Sequence, residues 1–194
     1  CWAQQRAACV QPAHKTLCLM HTSCMNQTNH DDLLLDRYDI SLLAALQADT
    51  HATHQTLGEA IHLSASQVSR RIQRLEAAGL ISAHVALLDP ERLGLGVRAI
   101  SYVTLTRHGG DEGTAFERDI LAIPEVVECF AVTGESDYIL KIFAANLSSL
   151  SESVLKRITR MQGVGSVRSN IVLQCIKSTT QLPLSHLEGR QAGR

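Results

Sequence analysis

Residues 56–81 read TLGEAIHLSASQVSRRIQRLEAAGLI, and the way this stretch folds decides how the rest is read. Thr56-Leu57-Gly58-Glu59 has the form of a capping box: a hydroxyl for an orphan backbone N–H, and a carboxylate that reaches back to the cap residue. A short helix with Leu57, Ala60 and Ile61 on its apolar face is predicted to follow. Ser64-Ala65-Ser66-Gln67 repeats the signature a few residues later. Two helix starts that close leave room for one short helix and a tight turn, the spacing of a helix-turn-helix. In the second helix Val68, Ile72 and Leu75 fall at i, i+4, i+7 and are predicted to be buried. Gln67, Arg70, Arg71 and Arg74 fall on another side and are predicted to be open. Gly79 stops the helix as a left-handed cap, with Leu80 folding back towards Leu75.

An arginine stripe on an amphipathic helix is most often a solvated face. Here it lies on a short helix with a cap at each end, the second of a helix-turn-helix, which makes it a candidate reader of the DNA major groove. The candidate DNA-binding residues are Ser64, Ser66, Gln67, Arg70, Arg71 and Arg74. Arginine reads guanine bidentately and glutamine pairs with adenine, while Ser66 or an off-axis arginine suits a phosphate.

Outward from this stretch, Asp36 is a good N-cap for a first helix to Gln47, with Ile40, Leu43, Ala44 and Leu46 on its apolar face. Beyond Gly79, Ile81 to Leu88 alternates loosely and predicts a short β-ribbon, a wing beside the helix-turn-helix. Asp89-Pro90-Glu91 makes a turn, and Leu93-Gly94-Leu95-Gly96 a hinge. From Val97 the period changes. Val97–Thr106 is a predicted strand, His108-Gly109-Gly110-Asp111 a break, and Thr114 with Glu117 caps a helix through Phe116, Ile120 and Leu121 that Pro124 stops. Strands over Val126–Thr133 and Tyr138–Ala144 follow, joined by Gly134-Glu135-Ser136-Asp137. A helix opened by Asn146, with Leu150, Val154, Leu155 and Ile158 inward, ends at Gly163 and Gly165, and Val167–Lys177 is the last strand. The order βαββαβ is the ferredoxin-like plan, with both helices on one sheet face. The uncovered face predicts dimerisation, sheet against sheet. The fold class is therefore α+β: a winged helix-turn-helix domain over 31–96, a ferredoxin-like domain over 97–184, and a tail over 185–194.

Composition bounds the function. The chain has 194 residues, 45% of them hydrophobic and 19% charged, with a formal net charge of −1. These are globular values, and no stretch has the length and apolarity to cross a membrane. Between Asp36 and Arg98 seven acidic side chains face six basic ones, so DNA contact must come from a local cluster multiplied by a dimer or an assembly of dimers, such as an octamer. Four of the six cysteines lie in the first 24 residues. Cys129 and Cys175 sit in β-type sequence and are expected to be buried free thiols, which fits a reducing cytoplasm. Residues 1–30 are unlike the rest and are expected to be a disordered or non-native extension, with Met20 and Met25 as candidate starts. Cys9, Cys18, His21 and Cys24 lack the paired spacing of a structural zinc site, and His51, His54 and His62 share no helical face, so no metal is expected. No cofactor is expected, and no nucleophile–base pair suggests an enzyme.

Three runs of residues, LDRYDISLLAALQAD from Leu35, LSASQVSRRIQRLEAAGLI and LDPERLGLGV, resemble the DNA-binding half of the feast/famine (Lrp/AsnC) transcription regulators. PEVVECFAVTGESDYILKI, MQGVGSVRSNIVL and the K-x-x-x-x-LPL ending resemble the effector-binding (RAM) half. The resemblance covers Leu35 to Leu184. It implies a transcription regulator that binds double-stranded DNA and answers to a free amino acid held in a cleft between subunits. Thr133, Gly134, Asp137 and Tyr138 are the positions that match the family's Gly-x-x-Asp-Tyr turn. In their own chemistry these residues make a turn, and a carboxylate there also suits an ammonium group. The rival reading is a small-molecule-sensing subunit that controls an enzyme by protein–protein contact.

Overall fold

The structure, a computed structural model, describes residues 34–106 and 111–188; expectations for residues 1–33, for 107–110 and beyond 188 lie outside it. The described chain forms two compact units. One comprises residues up to Ser82 together with those from Gln181 onward, and the other runs over Ala83–Thr180.

The first unit holds α1 (Arg37–Ala48), α2 (His54–Ile61) and α3 (Ala65–Ala77). Its core is Leu42, Leu46, Leu57, Ile61, Val68, Ile72 and Leu75, so α3 buries the three residues its period predicted. Ser64 and Gln67 make the predicted reciprocal capping box at its start. At its end Gly79 has φ +72°. Gly79 N–H donates to Glu76 O and Leu80 N–H to Leu75 O, both at 2.9 Å, which satisfies two carbonyls the helix leaves open.

Elsewhere in this unit the details shift. Thr53, and not Thr56, caps α2, its hydroxyl accepting from Thr56 N–H at 3.1 Å; Glu59 instead takes a bond from Gln55. Ala44 and Ala60 are exposed, and Leu42 and Gly58 are buried in place of them. The tight turn explains Gly58. His62 closes α2 at φ +59°, and a Cβ on Gly58 would lie 2.4 Å from the Leu63 carbonyl oxygen. The tail expected from Ser185 instead belongs to this unit, with a short helix α6 over Ser185–Glu188. Gln47 holds its approach: Leu182 N–H donates to Gln47 Oε1 at 2.6 Å, and Gln47 Nε2 donates to Leu182 O at 3.2 Å.

In the second unit β1 (Val97–Leu105), α4 (Asp111–Ile120), β2 (Val126–Ala131), β3 (Tyr138–Ala144), a π-helical segment (Ser149–Leu155) running into α5 (Lys156–Thr159), and β4 (Val164–Ile171) follow the predicted βαββαβ order. The sheet is antiparallel, in the order β2-β3-β1-β4. Strand periodicity assigns the faces. Ala99, Val103, Leu105, Tyr138, Leu140 and Ile142 point to one side, where Phe116, Ile120, Leu150, Val154 and Ile158 pack on them. Ile100, Tyr102, Ile139, Lys141 and Phe143 alternate with these and point to the other side.

The predicted wing is not formed: residues 82–89 pair with no strand among the described residues and are solvent-exposed. Its alternation is too loose to fix a register, and a two-stranded ribbon is marginal alone. The last strand ends at Ile171 and not Lys177, because beyond it only Val172 N–H still bonds β1, at Arg98 O. β2 ends at Ala131, α4 begins at Asp111 and not at Thr114, and Leu121 is exposed.

Gly58→Ala tests the turn. Helix propensity alone would favour alanine by about 1 kcal/mol. The backbone oxygen at 2.4 Å opposes it more strongly, since overpacking costs about 1–3 kcal/mol. The urea midpoint should therefore fall; a rise would contradict the close approach.

Candidate DNA interface and effector groove

Helix α3 begins with its first turn already committed. Gln67 Oε1 accepts from Ser64 N–H at 2.9 Å, and Ser64 Oγ lies 3.1 Å from Ser66 Oγ. Gln67 is exposed, yet its amide oxygen serves the cap before it serves any ligand.

Two of the three arginines are committed as well. Asp39 on α1 is completely buried, and an isolated carboxylate there would be prohibitively unstable. Arg71 Nη1 donates to its Oδ1 at 2.6 Å and Arg74 Nη2 to its Oδ2 at 2.5 Å. Arg71 Nη2 also reaches Asp36 Oδ2 at 2.8 Å, and its guanidinium lies 5.6 Å from the Tyr38 ring centroid. Asp36 and Asp39 cap the start of α1 reciprocally. Burial raises the Asp36 carboxyl, but the Asp39 N–H and Arg71 outweigh it and hold the group below its ordinary value. For Arg71 burial acts downward, and the two aspartates more than reverse it.

Of the expected open face, Gln67, Arg70 and Arg74 are exposed and Arg71 is half-buried; what the expectation lacked is the carboxylate on which Arg71 and Arg74 end. At about 100° per residue that face is turned by roughly 60° from the direction opposite the core. The outward stripe is Ser66, Arg70 and Gln73, all exposed. The Arg71 side chain is only 21% exposed and that of Arg74 43%. Gln73, uncharged and outside both caps, carries no signal of its own in the sequence. Asp39 was missed although Asp36-x-x-Asp39 has capping-box spacing.

In the second unit the Gly134–Asp137 connection is stapled to the end of β1. Leu105 N–H donates to Asp137 Oδ2 at 2.7 Å, Asp137 N–H to Val103 O at 2.9 Å, and Val132 N–H to Asp137 O at 2.9 Å. Gly134 takes φ +125°, where a side chain would be strained. Asp137 therefore has a structural partner that the sequence reading did not assign. Tyr138 turns to the helix side of the sheet. Its ring centroid lies 4.6 Å from that of Phe116, and its hydroxyl donates to Glu117 Oε1 at 3.0 Å. Burial and the Glu117 carboxylate push that phenol up to about 12. Burial beside the same carboxylate pushes the Cys129 thiol up to about 11, so it stays protonated at neutral pH.

The open sheet face carries a groove of about 690 Å³ lined by Tyr102, Thr133, Glu135, Ser136, Ile139 and Arg168, with Ala131 and Val132. Of the four candidate effector residues only Thr133 lines it. Gly134 and Asp137 shape its rim, and Tyr138 faces away because adjacent strand residues alternate sides. The Arg168 guanidinium sits 5.4 Å from the Tyr102 ring centroid, a cation–π distance. Arg168 and Tyr102 are cross-strand partners in the β1–β4 register. Their pairing was visible only once that register was set. Among the described residues no group of three His, Cys, Asp or Glu gathers as a metal site, and no helix is long and apolar enough to cross a membrane.

Residues 35–76 match the family described as AsnC-type helix-turn-helix domain, and residues 98–182 match the Lrp/AsnC ligand binding domain. DecR, a DNA-binding transcriptional activator of Escherichia coli (strain K12), is 33% identical over 151 residues, spanning 78% of this chain and 99% of DecR. The glutamate uptake regulatory protein of Zymomonas mobilis is 35% identical over 150 residues, 77% of this chain and 91% of its own. A transcriptional regulator from Neisseria meningitidis, solved in complex with L-Met, superposes with a TM-score of 0.76 at 40% identity and covers 79% of this chain and 99% of its own.

The stapled connection has a thermodynamic consequence. Asp137→Ala strands a half-buried amide N–H and should cost about 1–3 kcal/mol in urea unfolding, whereas Asp137→Asn, which still offers an oxygen, should cost distinctly less. An alanine variant as stable as wild type would show that the Leu105 bond contributes nothing.

Proposed function

The chain belongs to the Lrp/AsnC family, and on that premise we propose that it is a sequence-specific, DNA-binding transcription regulator whose activity or assembly responds to a small effector of amino-acid type. The observation that carries the DNA half is the outward stripe of α3, Ser66, Arg70 and Gln73, presented opposite a dry three-residue core. An α-helix fits the major groove, and one arginine flanked by two uncharged hydrogen-bonding side chains reads base edges there. Arg70 is the principal reader. Ser64 and Gln67 hold the helix start, where backbone N–H groups suit a phosphate, and Arg71 and Arg74 frame the helix from the side.

The effector half rests on the groove of the open sheet face. Arg168 suits a carboxylate, Glu135 an ammonium group, and Tyr102 with Ile139 an apolar side chain. Thr133 and Ser136 supply hydroxyls, and Gly134 and Asp137 keep the rim in shape. The same face exposes Phe130 and lies beside a second, largely apolar groove of about 660 Å³ that includes Val127, Phe143 and Leu88. Apolar surface of this kind favours a homodimer, sheet against sheet, and higher assemblies of such dimers. The subunit of a larger enzyme is the less favoured reading, because it gives the outward stripe of α3 no task. A reader of DNA works in the cytoplasm, and we place the protein there.

Gel retardation of the chain's own upstream region by wild type tests the DNA half. Arg70→Ala should weaken specific binding by about 1–3 kcal/mol while leaving random-sequence binding nearly unchanged. Equal losses on both would make Arg70 a phosphate anchor. For the effector half, a panel of free amino acids should shift retardation by wild type, and Arg168→Ala should raise the half-effective concentration at least tenfold. An unmoved midpoint would put the effector elsewhere. Sedimentation of the same wild-type sample should give a dimer or larger species; a stable monomer at micromolar concentration would remove the symmetry this reading needs.

A further inference from the structure

We propose that Asp39 determines DNA specificity by withholding Arg71 and Arg74 from the phosphate backbone; the inference rests on the reading of α3 as the DNA-reading helix. Arg71 and Arg74 both end on the one buried carboxylate, at 2.6 Å and 2.5 Å, and Arg71 closes the cluster on Asp36 at 2.8 Å. Two aspartates and two arginines sum to zero charge. Asp39 Oδ2 also accepts from Asp36 N–H at 3.0 Å, so the carboxylate is fixed by the backbone as well as by its counter-ions. Among the described residues Arg70 has no carboxylate partner, and it alone supplies uncompensated positive charge to the helix.

Sequence-independent affinity for DNA comes from neutralised phosphates and released counterions, with a log–log salt slope of about −0.9 for each phosphate. Three free arginines would give α3 a strong pull on any duplex. One free arginine leaves binding to depend on what the stripe finds on the base edges. The buried carboxylate thus lowers affinity for random DNA and widens the gap between right and wrong sites. In specificity it is the difference of affinities that counts.

The cluster also joins α1 to α3, and a purely structural role would predict something else: replacement of Asp39 would weaken the fold and lower affinity for every duplex together. The experiment compares full-length wild type with Asp39→Asn, which keeps size and an acceptor oxygen but removes the charge. Fluorescence anisotropy follows binding to a duplex selected by the wild-type protein from a random pool, and to a scrambled duplex of the same length, across a salt series. Asp39→Asn should bind the scrambled duplex severalfold more tightly at low salt. Its slope should be steeper by about 0.9 for each arginine released, and its ratio of selected to scrambled affinity should fall. Adding Arg71→Gln and Arg74→Gln to that variant should erase the gain. An unchanged slope with an unchanged scrambled-duplex affinity overturns the proposal, and so does parallel loss on both duplexes.

If Asp39→Asn does not fold, Arg74→Gln decides, since it leaves Arg71 on the buried carboxylate. A withheld Arg74 neutralises no phosphate, so the scrambled-duplex slope should stay unchanged, and a slope shallower by about 0.9 overturns the proposal. Wild type that binds neither duplex at any salt would instead sink the DNA reading itself, and the proposal with it.

Discussion

A carboxylate with no access to water constrains the whole first unit. Asp39 cannot remain charged in a low-dielectric core without partners, and it cannot be moved without breaking the capping box that starts α1. Arg71 and Arg74 must therefore come to it, which sets the rotation of α3 about its own axis and its height against α1. Apolar packing of Val68, Ile72 and Leu75 tolerates small slips, because hydrophobic contact has no direction. The two charge-assisted bonds to one carboxylate do not. Packing makes α3 stable, and the buried cluster decides which side chains it turns outward.

The second unit obeys a different constraint, the two-residue alternation of its strands. One face of β1 and β3 is closed by α4 and α5, so Tyr138 is pinned against Phe116 and Glu117 while Ile139, its neighbour, looks into the groove. A single residue of register therefore separates core from candidate site. Asp137 turns the corner between them by holding the end of β1. On the open face Arg168 lies over Tyr102, beside exposed apolar side chains such as Phe130.

Much of this was legible in the sequence because it is local. The Ser64 box, the Gly79 stop, the three buried positions of α3, and the order βαββαβ all follow from spacings of a few residues. The misreadings have physical sources as particular as the successes. Thr53 and Thr56 both offer a hydroxyl to the same turn, and nothing local chooses between them. Arg71 and Arg74 looked free because their partner lies 32 and 35 residues away in the chain. Tyr138 belongs to the family turn, and only the sheet register shows that its ring lies on the helix side. The wing and the end of the last strand rest on apolar residues that find no partner strand among the described residues. Arg168 and Tyr102 became a pair only across strands that are far apart in sequence.

Two glutamines separate the outward stripe from its rival most directly, since both are exposed, both are uncharged and neither touches Asp39. Gln73 lies on the stripe with Ser66 and Arg70, and Gln67 lies to the side, bound into the cap. A photo-crosslinking amino acid placed at either position, in otherwise unchanged full-length protein bound to its selected duplex, reports which side of α3 faces the bases. The account predicts strong crosslinking to DNA from position 73 and little from position 67. Strong crosslinking from 67 with none from 73 would contradict it, and would mean that the helix rotates away from the Asp39 cluster when it binds.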